Sequence, residues 1–408
     1  MSKTERRERG SAGNDQGVAV KAGWAIKPLG EACVFDKLQG LHGNLPYVGL
    51  EHIESHTARF IGSPHPVSVK SATFRFSSQH VLYGRLRPYL NKALAPDFEG
   101  HCSTEIFPIK PKPELSREYL LYWLLADETT EKINATCSGA RMPRADMNEV
   151  LDFEFPLPPL PEQHRIVAIL DEAFAGIATA KANAEQNLQN ARALFDTYLN
   201  AVYLGRGADA WPTRRLGDVY EIGSSKRIHE RDWSPSGVPF YGGKEIVKLA
   251  KFGHAVSNAY ISEQKYHDYA SKYDMPKPGD ILITARGTIG VGYVVQESDK
   301  FYYKDGNIIS MRAKEAANPH YLLYAFRSKV LADQLGELSG TTVTHLPLEK
   351  AKELRLRMPE IGVQHVLVDR IMDFEAETQH LASLYQRKLA ALDELKKSLL
   401  HQAFNGQL

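Results

Sequence analysis

The feature that most constrains this chain is an internal duplication on the scale of a domain. Tyr119-Leu120-Leu121-Tyr122 returns as Tyr321-Leu322-Leu323-Tyr324, 202 residues on. Gln163-His164 returns as Gln364-His365, and Gly205 as Gly406, both 201 residues on. Upstream, Trp24 with Leu29-Gly30 returns as Trp211 with Leu216-Gly217, 187 residues on. Self-similarity at a fixed period governs the fold before any single motif does. Two copies, each as large as a domain, exclude a solenoid. They imply a monomer with pseudo-two-fold symmetry, suited to a target that comes in two halves.

At 408 residues the chain exceeds one ordinary core and fits two domains with additions. It is 43% hydrophobic and 24% charged, the balance of a globular protein, and no apolar run approaches the ~20 residues of a membrane span. Residues 1–22 are polar, lack an apolar signal core and read as a disordered tail. The three cysteines (Cys33, Cys102, Cys137) have no CxxC spacing, which fits a reducing cytoplasm and argues against a disulfide framework or a zinc site. A net charge of +1 means that any DNA-binding cations must be gathered on one surface and balanced elsewhere.

Each copy has the same order of parts. A mixed segment of short apolar runs broken by Gly and Pro occupies 23–158 and again 209–359. Leu45–Leu50, Ser103–Ile109, Val238–Tyr241, Asp280–Thr284 and Asn307–Met311 read as strands, while Glu118–Ala126 and Pro319–Ala332 carry helical spacing. The fold class is therefore α+β. Over 159–208 and 360–408, Gly and Pro nearly vanish and Ala, Glu, Gln, Leu and Lys take over. In the second of these stretches Leu367, Ile371, Phe374, Leu381, Tyr385, Leu392, Leu395 and Leu399 step by fours and threes, with Thr378 and Lys388 as polar interruptions. Ile166, Leu170, Phe174, Ile177, Leu188, Phe195, Tyr198 and Val202 give a looser version in the first. That is a coiled-coil seam, and two such helices in equivalent places predict an antiparallel pair.

Catalytic motifs are not persuasive. There is no GxxxxGK[ST] phosphate loop and no GxGxxG after a strand; Gly287-Thr-Ile-Gly290-Val-Gly292 reads as a tight turn. Leu157-Pro-Pro-Leu160 lacks the polar residue and the ring of an adenine methyltransferase segment. His164 and His365 sit at helix starts and read as capping or packing residues. No metal site and no cofactor site of the chain's own is expected.

Reading a base sequence takes side chains that donate or accept at base edges, with cations on phosphates. Three places supply them. Arg85, Arg87, Tyr89, Asn91 and Lys92 cluster around Gly84 and Pro88, and their positional partner is the segment holding Arg286 and Thr288, with Arg286 matched to Arg87. Ser138-Gly139 with Arg141 and Arg144 returns as Ser339-Gly340 with Thr341, Thr342 and His345. Lys226, Arg227 and Lys244 suit a phosphate-contacting surface.

The ordered set of features resembles the specificity subunits of type I restriction-modification systems. It comprises the duplicated layout, Pro156-Leu-Pro-Pro-Leu-Pro-Glu-Gln-His-Arg-Ile166, the Ser-Gly loops, Leu86–Lys92, Ala285–Gly290 and the ending Leu399–Gly406. The resemblance implies two target-recognition domains on an antiparallel pair of helices, each domain reading one half of a split site in double-stranded DNA. It implies that the helices set the unread gap and dock two methyltransferase subunits, which carry S-adenosylmethionine and the catalytic centre. Gln163, His164, Ile166, Leu170 and Phe174, with Gln364, His365, Leu367, Ile371 and Phe374, mark the docking helices. With added translocase-nuclease subunits such an assembly cuts unmodified DNA, and the chain itself is then a non-catalytic cytoplasmic subunit. A two-domain scaffold that binds only proteins through its helices is the competing reading.

Overall fold

The computed structural model describes residue 21, residues 23–337 and residues 345–408. The region read as an N-terminal tail therefore lies almost wholly outside the described residues, as do Thr341 and Thr342. The chain divides into two compact units, one comprising the chain to Glu185 with Arg387–Leu408, the other Gln186–Gln386. The division falls within both long helices rather than at their ends, because each half of a helix buries its apolar face in a different unit.

In the first unit a four-stranded antiparallel sheet runs in the order Cys33–Phe35, Ile106–Pro111, Val81–Gly84, Ala93–Leu94. Val81 pairs with Ile109 and Gly84 with Ile106. The central strand Val81–Gly84 is buried along its whole length, which explains why it reads as a continuous run rather than an alternating one. A second sheet orders Gln39–Gly40, Thr73–Phe76, Gly100–Cys102 and Tyr47–Val48, the last pair parallel. Gly100 permits this join: a Cβ there would lie 2.7 Å from the Pro46 carbonyl oxygen. Tyr83, Phe76, Ile106 and Tyr119 are among the largest fully buried side chains, and burial of Phe76 and Ile106 stabilises the fold by roughly 1.5–3 kcal/mol each.

The second unit repeats the first sheet strand for strand: Tyr220–Gly223, Ile308–Ala313, Ile281–Thr284, Gly292–Val294. Ile281 pairs with Met311 and Thr284 with Ile308, the same register as in the first unit. Its other sheet has three strands, Tyr260–Ile261, Val238–Tyr241 and Tyr302–Tyr303. Here the copies diverge, since helices Gly243–Phe252 and Glu263–Ala270 have no helical counterpart between Ile53 and Lys70. In each unit a two-stranded ribbon closes the globular part, Ala25–Pro28 on Glu154–Leu157 and Thr213–Arg215 on Arg355–Arg357.

The long helices span Leu160–Leu204 and Ile361–Phe404, 45 and 44 residues. Pro161 sits in the first turn of the former, where no intrahelical donor is lost. The helices run antiparallel as a coiled coil. In the first unit Arg165 donates to the Leu408 carbonyl at 2.7 Å and Lys181 pairs with Asp393 at 2.7 Å. In the second, the Tyr198 and Phe374 rings meet at 4.4 Å, and Leu199 and Tyr203 share a core with Val368 and Ile371.

The seam differs in detail from its reading in the sequence. In the first helix Ile177, Ala184, Ala191, Phe195, Leu199 and Tyr203 are buried. That is a regular stripe, hidden in the sequence because alanine signals helix formation as much as contact. In the second helix Thr378 is buried rather than an interruption, its hydroxyl donating to the Phe374 carbonyl at 2.9 Å. Leu395, expected in the seam, is 47% exposed. The matching glycines also part company. Gly406 has φ +69° and ends its helix in the left-handed region, whereas Gly205 has φ −71° and leads into a further turn at Arg206–Ala210.

Candidate nucleic-acid interface

In the second unit the loop after Ile281–Thr284 is shaped by glycines at positive φ, Gly287 (+77°) and Gly290 (+86°). The Thr284 hydroxyl clamps its base by hydrogen bonding to the Val291 carbonyl at 3.1 Å. The loop holds Arg286 exposed, joined by a backbone bridge to His345. Arg286 opens onto a cleft of about 420 Å³, lined also by Arg227, His229, Trp233, Lys304 and Asn307. Arg227 donates to Asp305 at 2.9 Å, and Trp233 is 40% exposed. Among the described residues, the side chains of Arg286, Lys304 and Asn307 make no hydrogen bond or ion pair. Three donors thus face water from one concave surface. His345 lies in an adjoining cleft with Ser224, Ser225 and Glu349, its Nδ1 3.2 Å from the Ala285 carbonyl.

The first unit has the same backbone frame and different contents. Arg85 N donates to the Glu105 carbonyl and Ala145 N to the Arg85 carbonyl, both at 2.9 Å. Leu86 is bridged to Arg144. The Arg144 guanidinium grips the Glu105 carboxylate, with Nε 2.9 and 3.1 Å from its two oxygens. That carboxylate holds the Arg144 pKa above the usual arginine value. Arg85 lies beside the same carboxylate at 3.7 Å and over the Phe107 ring, which Lys37 also covers at 4.3 Å. Arg87 is exposed at φ +52°, a left-handed conformation uncommon outside glycine, and Tyr89 is 49% exposed. Arg141 is exposed as well.

Several expectations need correction. Asn91 is fully buried, its amide donating to the Leu125 carbonyl at 3.1 Å and to Thr130 at 2.7 Å, so it braces the fold and cannot reach a base. Lys92 spends its ammonium on the Leu50 and Ile53 carbonyls at 2.6 and 2.8 Å. The backbone aligns Arg286 with Leu86 rather than Arg87, because Thr284↔Ile308 and Gly84↔Ile106 are the equivalent pairs. Lys226 and Lys244 are exposed, and Lys226 lies over the Tyr273 ring, but neither lines the cleft of Arg286. Thr288 is exposed on the loop itself, its carbonyl taken by the Thr284 hydroxyl. Glu105, Asn307, Lys304 and Trp233 were not singled out in the sequence. The first two sit at the entry to a strand, where a polar residue looks like an ordinary strand end.

The residues marking the docking helices divide similarly. Gln163 is fully buried: its side-chain oxygen accepts from Ser116 N at 2.7 Å and its nitrogen donates to the Glu114 and Pro158 carbonyls at 2.9 and 2.8 Å. Gln364 repeats this with Asn318 N at 2.9 Å and the Pro359 carbonyl at 2.8 Å. Ile166, Leu170 and Ile371 are buried in the core of their own unit, and Phe174, Leu367 and Phe374 pack against it. The five buried ones, Gln163, Gln364, Ile166, Leu170 and Ile371, present no outer docking face. His164 and His365 are exposed, and the neighbouring glutamines tie each helix start to the segments before it.

The family model of the type I restriction modification DNA specificity domain matches residues 85–190 and 208–386, once in each copy. The chain belongs to this family. It is similar to a type I restriction enzyme specificity subunit of Haemophilus influenzae, 25% identical over 83% of this chain and 82% of the relative. The HsdS subunit of Thermoanaerobacter tengcongensis shares the fold, with TM-score 0.68 and 22% identity over 95% of this chain and 98% of that one. A chain of a solved type I R-M system superposes with TM-score 0.78 at 23% identity over 95% and 99%. The two globular parts are thus the target-recognition domains of a type I specificity subunit, each carrying an exposed cationic surface on one frame. Among the described residues no helix is long and apolar enough to cross a membrane.

Proposed function

We propose that this specificity subunit reads a two-part, asymmetric sequence in double-stranded DNA, one half with each target-recognition domain. The observation that carries the reading is the pair of equivalent surfaces, each built on the loop that leaves a buried central strand and each lined by different polar groups. A frame held constant while its contents change is what two readers of unlike half-sites require. In the second unit Arg286 and Asn307 supply base-edge chemistry, while Lys304 and Arg227 supply phosphate contacts. In the first, Arg87, Arg141, Tyr89 and the Glu105–Arg144 pair take these parts.

The long helices set the unread gap and dock two methyltransferase subunits, which bring S-adenosylmethionine and the methyl-transfer chemistry. The chain contributes no catalytic group of its own, and translocase-nuclease subunits join the assembly where restriction accompanies modification. It works in the cytoplasm. Its three cysteines are free thiols, and burial pushes the Cys33 thiol up to about 12, leaving it unreactive at neutral pH.

The test is to map methylated adenines in cells carrying this subunit with its methyltransferase and in cells lacking it. The reading expects one bipartite motif that disappears with the subunit. Co-purification with the methyltransferase and no sequence-dependent retention of DNA would instead support a protein-binding scaffold.

A further inference from the structure

We propose that Glu105 and Asn307 occupy one and the same reading position in the two units and set the base pair each half-site presents there: Glu105 with Arg144 selects a G·C pair, and Asn307 selects adenine. This rests on the reading of the chain as a two-part DNA reader and adds to it the residues that make the halves differ.

The equivalence comes from backbone hydrogen bonds alone. The Glu105 carbonyl accepts from Arg85 N at 2.9 Å, and the Asn307 carbonyl accepts from Ala285 N at 2.8 Å. Each residue directly precedes the strand whose first residue pairs with the end of the buried central strand. The segment across the loop is matched too, since Ala145 N donates to the Arg85 carbonyl and Leu346 N to the Ala285 carbonyl. Arg144 and His345 then fall opposite each other in the two frames, bridged to Leu86 and Arg286. No constant offset in the sequence relates these positions, because the loops between them differ in length.

The chemistry at the two positions is complementary to different base pairs. A carboxylate only accepts and a guanidinium only donates. In the major groove a G·C pair shows acceptors on guanine N7 and O6 and a donor on cytosine N4, so an Arg–Glu couple matches both partners. Arg144 and Glu105 are already locked together, with Nη2 2.8 Å from the carboxylate in addition to the two Nε contacts. Arg85 Nε remains buried without a hydrogen-bond partner, so the cluster has a donor in reserve when Arg144 turns toward DNA. The Asn307 side chain both donates and accepts, the pattern that matches adenine N6 and N7. It stands unpaired among the described residues in the cleft of Arg286.

The experiment uses the full subunit assembled with its methyltransferase and reads the methylated motif by sequencing a randomised DNA pool. Glu105→Gln is expected to relax one G·C position in one half by about 5- to 100-fold in discrimination, leaving the other half unchanged. Asn307→Asp is expected to relax one adenine position in the other half. The double exchange Glu105→Asn with Arg144→His, which gives the first unit the groups of the second, is expected to prefer adenine at the position that held G·C. The untouched half is an internal control for folding and assembly. Variants that keep the wild-type motif in both halves overturn the proposal, as does a wild-type motif lacking G·C in one half or adenine in the other. If Glu105→Gln abolishes methylation, the double exchange decides, and any preference other than adenine overturns it. A wild-type complex that methylates no bipartite motif sinks the broader reading instead, so the two failures are distinguishable.

Discussion

The reading surfaces of the two units share a backbone and differ in electrostatic state. In the first, Glu105, Arg144 and Arg85 engage one another before any ligand arrives. In the second, Arg286, Lys304 and Asn307 face the cleft with nothing to bind among the described residues. The supporting frame shows the opposite pattern, with near-identical contacts in both copies. Tyr119 and Tyr321 donate to the Pro156 and Arg357 carbonyls at 3.1 and 2.9 Å, and Gln163 and Gln364 anchor the long helices through the same bonds. The shared contacts lie where buried backbone groups need partners, while the loops, where water supplies one, differ. On the proposed reading, Arg144 must leave Glu105 to meet DNA whereas Arg286, Lys304 and Asn307 are already free among the described residues, so the two halves of a site should contribute unequally to affinity.

The largest expected effect tests whether the frames differ anywhere in their interior. Arg312 donates to the Asp280 carboxylate, 4% exposed, through Nε at 2.8 Å. The corresponding residues in the first unit are Lys110, exposed, and His80. Arg312→Met should cost about 3–5 kcal/mol in denaturant unfolding by stranding a buried carboxylate, while Lys110→Met should stay within about 0.5 kcal/mol. Equal losses would show that the ion pair is not specific to the second unit.

Next comes the shared anchor. Gln163→Ala and Gln364→Ala each orphan buried backbone groups and should destabilise by about 2–4 kcal/mol. Both variants should leave the methylated motif unaltered at permissive temperature. A motif altered by either would mean that the glutamines tune reading and not only the frame.

Smaller effects separate roles within the second surface. Arg286→Ala should lose about 1–3 kcal/mol of binding and relax one base position. Lys304→Ala should weaken all sequences alike and lower the salt slope by about 1. Binding isotherms at several salt concentrations check both, and exchanged outcomes would exchange the two roles.

Much of this was legible in the sequence. The duplication, the α+β segments, the helical stretches over 159–208 and 360–408 and the family all follow from residues and their order. What escaped depends on where side chains point. Asn91 and Lys92 have the composition of a reader, yet the left-handed turn at Arg87 and Asn91 turns both inward onto backbone carbonyls. Counting residues matched Arg286 to Arg87, whereas strand register matches it to Leu86, because the loops changed length. Ala184 and Ala191 concealed the seam of the first helix, since a methyl group is apolar enough to bury and too small to mark a stripe. Glu105 and Asn307 became visible only when hydrogen bonds put them at one position.

The central claim is a common frame carrying two independent readers, and one exchange tests it most directly. Residues 23–158 are replaced by the equivalent region of another specificity subunit with a known bipartite motif, and methylated adenines are mapped with the methyltransferase present. A hybrid motif is expected, with one half taken from the donor and the other half and the gap retained. A change in both halves, or in neither, would contradict it.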